Sequence, residues 1–269
     1  MTTPTAARLL AAYDDQTRAQ SPERDKPGIT TDHDGPLLRT TGGHQGFVTY
    51  RNLAGLRGAE LDALIARQVA HFRAAGQSFE WKTRGHDEPA DLPERLLAAG
   101  FVPAEVESVE IGIAADQRAE PVLPAGVTLR LTRDPADLER ICAFETEVWG
   151  QDMSFLGPWF TRTLAAEPDT LDIAVVETEI KTGTGGQLIS AAWSIYKPGT
   201  DFTYLAGGST LPEWRRRGLY RALVAFRANL AVERGYTFLQ VDASKNSRPI
   251  LERLGFRFVT TTTPYIWTP

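Results

Sequence analysis

The sequence predicts an α+β protein built from two tandem copies of one unit, and three observations indicate this fold class. Strand-like and helix-like segments alternate along most of its 269 residues. Two segments 155 residues apart, Leu92–Phe101 and Ser247–Phe256, each combine a short helical stretch with a closing Gly-Phe pair. The stretch Ala114–Gly126 contains two prolines and many small residues, as an interdomain linker does. The predicted domains are residues 1–118 and 127–269, joined by a linker at 119–126.

In the first half, turn residues and hydrophobic spacing place each element in order. Leu9–Ala19 is expected to form a short helix, and Ser21–Gly35, rich in Pro, Asp and Gly, a loop with at most one extended piece. A Gly-Gly turn then joins two strands of a hairpin. The next segment has apolar residues at spacings of three and four and ends before Gly76, which predicts a helix. The predicted elements are the hairpin strands Leu37–Thr41 and Gly46–Arg51, the helix Ala59–Ala75, a strand at Phe79–Thr83, a helix at Leu92–Ala99 and a strand at Phe101–Ile113.

In the second half, the same reasoning predicts a strand, two helices and then three consecutive strands. Val127–Leu131 alternates as a strand does, and Pro135–Trp149 has proline in its first turn, where a helix accepts it. Arg217–Arg234 carries apolar residues at steps of four, three and four along one face, which predicts a long helix. The other predicted elements are a helix at Leu156–Ala166, strands at Leu171–Glu177, Leu188–Tyr196 and Phe202–Thr210, a turn at Thr182–Gly186, a strand at Thr237–Asp242, a helix at Ser247–Leu254 and one or two closing strands in Phe256–Trp267.

Composition and charge exclude several classes of protein. With 42% hydrophobic and 23% charged residues, the chain is neither collagen-like, nor a coiled coil, nor disordered. With a net charge of −5, the chain as a whole does not attract the negatively charged phosphates of a nucleic acid. The acidity lies in residues 1–125, which hold 13 Lys/Arg against 18 Asp/Glu, whereas residues 126–269 hold 16 of each. A single cysteine, Cys142, and the lack of a signal peptide or a long apolar run predict a cytoplasmic protein with no membrane, nucleic-acid or metal partner.

An arginine-rich turn at Glu213–Arg227 is the most specific feature of the sequence. It follows a predicted strand, opens a predicted long helix, contains one glycine, and holds five Arg against one Glu. Amides at a helix N-terminus lack internal partners, and the helix dipole makes this end electropositive. Three cations placed there oppose the dipole, so they indicate that an anion completes the site. The chain has neither a Walker P-loop nor a Rossmann glycine motif. The pattern favours a diphosphate as the bound anion.

This turn resembles the signature of the GNAT superfamily of acetyl-CoA-dependent N-acetyltransferases. The family pattern is Gln or Arg, two residues, Gly, one residue, then Gly or Ala, and the first four positions match. Tyr220 stands at the last position, where it is expected to crowd or reshape the turn. The resemblance implies two tandem domains, each with a mixed, mostly antiparallel central sheet flanked by helices. It covers about Gly126–Pro269 and extends to the first half only in outline, so the N-terminal copy is expected to be degenerate. The matching residues are Arg215, Arg216, Arg217, Gly218, Leu219 and Tyr220.

The resemblance implies a set of residues that hold acetyl-CoA. Backbone amides at Arg216–Arg221 would bind the diphosphate, and backbone groups of Ser209–Leu211 would pair with the pantetheine arm. Asn246 would hydrogen-bond the cofactor, although a turn or capping role fits it equally well. The expected cofactor-binding residues are Ser209, Thr210, Leu211, Arg216, Arg217, Gly218, Leu219, Tyr220, Arg221 and Asn246.

Acetyl transfer to an amine also requires a proton acceptor. A primary amine with pKa near ~10.4 costs roughly 4.6 kcal/mol to neutralise at pH 7. All four histidines lie in the first half, so carboxylates remain in the second. Glu145 and Glu147 are two apart in one predicted helix and therefore lie on different faces. We select Glu147 as the candidate base and Asp152 as the second choice, with Tyr204 as a further catalytic candidate.

The resemblance also implies a general acid for the departing thiolate, usually a tyrosine five residues before the Phe of the Gly-Phe pair. That position is Leu251 here, so Ser244, Ser247, Tyr220 or water would have to replace it, or the thiolate leaves unassisted.

From the turn and the resemblance together, we expect an N-acetyltransferase that acts on a small-molecule or peptide amine, with two alternatives. One is a non-enzymatic acyl-CoA-binding or interaction protein, and the other is an enzyme that uses a longer acyl-CoA. The acceptor and the oligomeric state are left open by the sequence.

Overall fold

A computed structural model describes residues 4–18, 28–179 and 186–269. Its strands and helices fall into two compact units. The first unit comprises Met1–Glu110 and Asp242–Pro269, and the second comprises Ile111–Val241. Among the described residues, no helix is both long and apolar enough to cross a lipid bilayer.

In its described residues, the first unit contains a mixed sheet and four helices. The strand order in this unit is β1-β2-β3-β4-β12-β6, with the short β5 paired to β12. The pairs β1–β2, β2–β3 and β4–β12 are antiparallel, and β3–β4 is parallel. Its elements are α1 (Ala6–Thr17), β1 (Ile29–Asp34), β2 (Leu37–Gly42), β3 (Gly46–Thr49), α2 (Gly58–Ala74), β4 (Phe79–Arg84), α3 (Leu92–Ala98), β5 (Val102–Pro103), β6 (Glu107–Ile113), α8 (Arg248–Arg253) and β12 (Arg257–Trp267).

The second unit also has a mixed sheet flanked by helices. Its strand order is β11-β10-β9-β8-β7, antiparallel except for the parallel pair β10–β11. The helix between β10 and β11 makes the crossover that a parallel pair requires. Its elements are α4 (Ala114–Gln117), β7 (Val127–Thr132), α5 (Pro135–Trp149), α6 (Leu156–Ala166), β8 (Leu171–Thr178), β9 (Leu188–Tyr196), β10 (Phe202–Thr210), α7 (Leu219–Glu233) and β11 (Phe238–Ala243), with 3-10 turns at Pro168–Thr170 and Pro212–Trp214.

The α+β class and a mixed sheet flanked by helices are confirmed. The predicted apolar stripe of α2 forms the core of the first unit. Leu61, Leu64 and Phe72 of α2 are fully buried, together with Phe79 and Trp81 of β4. Phe72 and Phe79 stack with ring centroids 4.1 Å apart. The spacing of three and four along α2 therefore predicted the buried face correctly.

The last strand of the chain belongs to the first unit. β12 pairs with β4 in a register that sets Tyr265 opposite Trp81. The first unit is therefore discontinuous in sequence, and its boundaries fall inside β6 and β11. The predicted linker at 119–126 instead assumes two domains that are each continuous in sequence. Residues 118–126 form neither helix nor strand.

Some predicted elements differ from those observed. Within Ser21–Gly35, Ile29–Asp34 forms an edge strand, which is the one extended piece expected there, and residues 21–27 lie outside the described chain. The single strand predicted at Phe101–Ile113 is divided into β5 and β6. The long helix begins at Leu219 rather than Arg217, because Gly218 has the left-handed conformation that caps it. Most of the turn predicted at Thr182–Gly186 lies outside the described residues.

Candidate functional site

The start of α7 is an open helix N-terminus. Gly218 precedes the helix with φ +88°, and no side chain caps the first turn. No acidic residue lies in that turn. A Cβ added at Gly218 would meet no heavy atom within 4 Å, so the space above the first amides is open. Uncapped amides at the positive end of a helix, with open space in front of them, form an anion-binding site.

Arginine side chains surround this N-terminus. Arg215 donates from Nε to the Thr210 carbonyl at 3.0 Å, and the Arg217 guanidinium lies 4.6 Å from the Trp214 ring centroid. Arg216 and Arg221 are exposed. Within the described chain, no salt bridge is formed by any of these four arginines, so their charge is available to an anionic ligand.

Arg216 has a strained backbone. Its φ is +61°, in the left-handed region that disfavours a residue with a Cβ. We expect Arg216→Gly to raise the free energy of unfolding by about 0.5–1 kcal/mol. Glycine removes the strain at this φ, and its higher conformational entropy in the unfolded chain offsets only part of that gain. Arg215, with φ −64°, is the control: Arg215→Gly should lower stability. Urea denaturation measures both, and destabilisation by both variants would contradict the assignment of strain.

A glycine bulge interrupts β10 beside the start of α7. Gly207 lies opposite Ala192 and Ser209 opposite Ala191, so Gly208 is the extra residue. Gly207 and Gly208 have φ +66° and +80°. A Cβ at Gly207 would lie 2.6 Å from the Trp193 ring, and one at Gly208 would lie 2.9 Å from the Tyr220 ring. The bulge therefore requires glycine for both backbone conformation and space.

Tyr220 packs against this bulge, as its contact with Gly208 shows. The space at Gly218 remains open. The tyrosine at the last position of the signature thus reshapes the neighbourhood of β10 and does not fill the space at the helix start. Behind the bulge, Arg227 is buried and donates to the carbonyls of Trp193 and Ala206 at 3.3 and 3.0 Å. Burial lowers the pKa of Arg227 to about 10.

The end of β10 is held by hydrogen bonds to β9. Ser190 Oγ donates to the Ser209 carbonyl at 2.5 Å and lies 2.9 Å from Thr210 Oγ1. The Leu211 amide donates to the Ile189 carbonyl at 3.0 Å. This predicted cofactor-binding segment therefore lies beside the bulge in a fixed conformation.

A buried carboxylate faces the same strand end. Glu145, on the inner face of α5, is 1% exposed. Its Oε2 accepts from Ser209 Oγ and from Trp149 Nε1, each at 2.7 Å. Its Oε1 is buried without a hydrogen-bond partner. Burial raises the pKa of Glu145 to about 7, against the lowering effect of the bonds from Ser209 and Trp149.

The predicted catalytic residues lie in different places. Glu147 is on the exposed face of α5, and Asp152 is an exposed residue whose Oδ1 accepts from the Ser154 amide at 2.9 Å. Tyr204 is on β10, with Lys197 Nζ 5.9 Å from its ring centroid. Their catalytic roles stay predictions.

The predicted cofactor residues divide between the two units. Nine of them, Ser209 to Leu211 and Arg216 to Arg221 in the second unit, lie at the end of β10 and the start of α7. Asn246 lies in the first unit as an exposed residue of the turn before α8, and its amide donates to Ser244 Oγ at 3.3 Å. This hydrogen bond is consistent with the turn or capping role that was the alternative for Asn246.

Sequence reasoning passed over Glu145 in favour of its exposed neighbour. The spacing of two residues correctly placed the two carboxylates on different faces. Phe144 is next to Glu145 and Val148 is next to Glu147, so the flanking residues gave no signal that separated the two carboxylates.

Comparisons with known proteins agree with this geometry. Residues 184–266 match a protein-family model described as FR47-like protein. No curated protein sequence matches the chain. The match covers β9 to β12 and includes the bulge and the arginine-rich turn.

Solved structures share the fold over the whole chain. A GCN5-related N-acetyltransferase from Kribbella flavida is 18% identical, with a TM-score of 0.69, and the match covers 100% of this chain and 97% of that one. A tandem GNAT protein from the clavulanic acid biosynthesis pathway is 13% identical, with a TM-score of 0.60 and coverage of 98% and 94%. A GCN5-related N-acetyltransferase from Sphaerobacter thermophilus is 15% identical, with a TM-score of 0.61 and the same coverage. The chain has the fold of these N-acetyltransferases, so the expected resemblance is confirmed at the level of the fold.

Proposed function

We propose that this protein transfers an acetyl group from acetyl-CoA directly to a primary amine of a small molecule or peptide. The observation that carries the proposal is the open, uncapped start of α7 behind Gly218, next to the glycine bulge of β10. The first feature suits a diphosphate, and the second exposes backbone beside it for a thioester. The GNAT fold of the chain supports the same activity.

The donor would lie along these two features. Amides of residues 216–221 would hold the CoA diphosphate, with Arg216 and Arg217 adding positive charge. Backbone groups at Ser209 and Thr210 would pair with the pantetheine arm. The Ser209 and Thr210 carbonyls each accept one side-chain hydrogen bond already, from Ser190 Oγ and Arg215 Nε, and a carbonyl oxygen has a second lone pair for the ligand. Leu211 has both its amide and its carbonyl bonded within the protein, so it would contribute mainly through packing. When bound, acetyl-CoA supplies the activated acyl carbon.

The proposal includes a tandem arrangement in the cytoplasm. Residues 127–269 would be the catalytic GNAT domain, and residues 1–118 a degenerate copy joined by the linker 119–126. The first half lacks the arginine-glycine signature before α2. The match to a tandem GNAT protein over 98% of this chain supports the duplication.

One observation favours the non-enzymatic alternative. Leu251 occupies the position where a tyrosine usually acts as the general acid, and a leucine side chain has no proton to give to a thiolate. An acyl-CoA-binding protein without turnover would need no such group. A thiol with pKa about 8.5 can nevertheless leave as the thiolate, so we retain acetyl transfer as the proposed function.

The test combines binding and turnover. We expect acetyl-CoA to bind in calorimetry, and free thiol to appear only when n-butylamine, spermidine or a lysine peptide is added. Binding without thiol release for any amine would favour the non-enzymatic alternative. Faster turnover with a longer acyl-CoA would change the donor, and absence of binding would refute the assignment of the turn.

A further inference from the structure

Three side chains from two elements meet beside the bulge of β10. The Ser209 hydroxyl, directly after Gly208, donates to Glu145 Oε2 at 2.7 Å. Trp149 donates to the same oxygen from the last turn of α5, and its indole nitrogen lies 3.1 Å from Ser209 Oγ. A hydroxyl at the proposed thioester position is therefore hydrogen-bonded to a buried carboxylate.

Burial prevents Glu145 from meeting a substrate directly. Glu145 is 1% exposed and Ser209 is 6% exposed, whereas Trp149, whose indole nitrogen contacts both side chains, is 55% exposed. Ser209 is the polar side chain that connects the carboxylate to β10. Any proton that reaches Glu145 from an amine at the bulge would therefore pass through the Ser209 hydroxyl.

The electrostatic surroundings of Glu145 suit a proton acceptor. The polar groups that face it are the Trp149 indole on α5 and the Ser209 hydroxyl on β10, with Ser190 of β9 behind Ser209. Across the described part of the chain, no charged side chain of α6, β9 or β10 contributes to its pKa, which burial raises to about 7. A base is most effective when its pKa is near the working pH.

Resting on the proposed acetyl transfer, we propose that Ser209 and Glu145 form a proton relay for the attacking amine. As the N–C bond forms and the C–S bond breaks, one amine proton passes to Ser209 Oγ. The Ser209 hydroxyl proton passes at the same time to Glu145 Oε2, and the C–S electron pair leaves on the CoA sulfur. Ser209 touches the amine and is the catalytic residue. Glu145 acts through Ser209 and positions its hydroxyl, and it later returns the proton to solvent through the same hydroxyl.

The test is the pH profile of amine-dependent thiol release, with the best amine among n-butylamine, spermidine and a lysine peptide. We expect Glu145→Gln and Ser209→Ala each to lower kcat by about 100-fold, the lower range for loss of general-base catalysis. Glutamine keeps an oxygen that accepts from Ser209, so the fold is retained. The acidic limb of the wild-type profile, with an apparent pKa about 7, should disappear in both variants.

Three further variants sharpen the result. Ser209→Thr keeps the hydroxyl and should restore the acidic limb. The double variant should be no slower than either single variant, because both act in one relay. Glu139→Gln, at an exposed position on the same helix, should match the wild type. All variants should bind acetyl-CoA within about threefold of the wild-type Kd, since the diphosphate site is unchanged.

Two results would overturn the relay while leaving the proposed function intact. One is an unchanged acidic limb in Glu145→Gln, which would leave Glu145 with a structural role only. The other is loss of that limb in Glu147→Gln alone, which would assign the base to the exposed carboxylate. Wild-type protein that binds acetyl-CoA and releases no thiol with any amine would instead overturn the proposed function and the relay with it.

Discussion

Gly218→Val is expected to weaken acetyl-CoA binding by at least about 100-fold, equivalent to about 2.7 kcal/mol. Gly218 has φ +88° and open space where a Cβ would stand, directly before the uncapped amides of α7. A valine side chain would occupy the volume through which a diphosphate approaches those amides. Calorimetric titration with acetyl-CoA measures the change, and thiol release should fall in parallel.

The same helix supplies a matched control. Gly235 follows the C-terminal end of α7 with φ +83°, and a Cβ there would also meet nothing within 4 Å. Gly235→Val therefore has a similar backbone cost, about 1–2 kcal/mol of stability, without any change at the helix start. We expect it to bind acetyl-CoA as the wild type does. Equal loss of binding in both variants would mean that strain, and not obstruction of the anion site, is responsible.

The long helices and the arginine-rich turn were predictable because local patterns specify them. The apolar spacing of α2 determines which face is buried, and Gly218 with its arginines marks the start of α7. The strain at Arg216 and the packing of Tyr220 against Gly208 depend on backbone angles and on a neighbouring strand. No local pattern contains that information.

Tertiary packing decided the remaining features. Glu145 and Glu147 have similar sequence surroundings, and only the packing of α5 beside β10 buries the first. β12 has the alternation of a strand, but alternation does not name its partner, which is β4. β1 is polar and gains its conformation from pairing with β2. For Glu145 and β12 the deciding contact joins residues far apart in sequence, whereas β1 pairs with the strand that directly follows it.

Glu110→Gln is expected to stabilise the protein at alkaline pH. Glu110 lies on β6, is 0% exposed, and neither carboxylate oxygen has a hydrogen-bond partner. Burial raises its pKa to about 7, although Arg248, 3.6 Å away, lowers it and Glu252 raises it further. The unfolded chain, with the ordinary pKa of 4.5, loses its proton first. Wild-type stability should therefore fall as pH rises from about 4.5 to about 7 and stay low above that range.

The variant removes this dependence. A shift of about 2.5 units corresponds to about 3 kcal/mol, so Glu110→Gln should raise the free energy of unfolding by about that amount at pH 8 and by almost nothing at pH 4. Glu60→Gln, at an exposed position in α2, should change stability by less than about 1 kcal/mol at either pH. Urea denaturation of the three proteins at both pH values measures the effect. A gain of equal size at pH 4 and pH 8 would contradict the ionisation argument, because a protonated Glu110 carries no charge to bury.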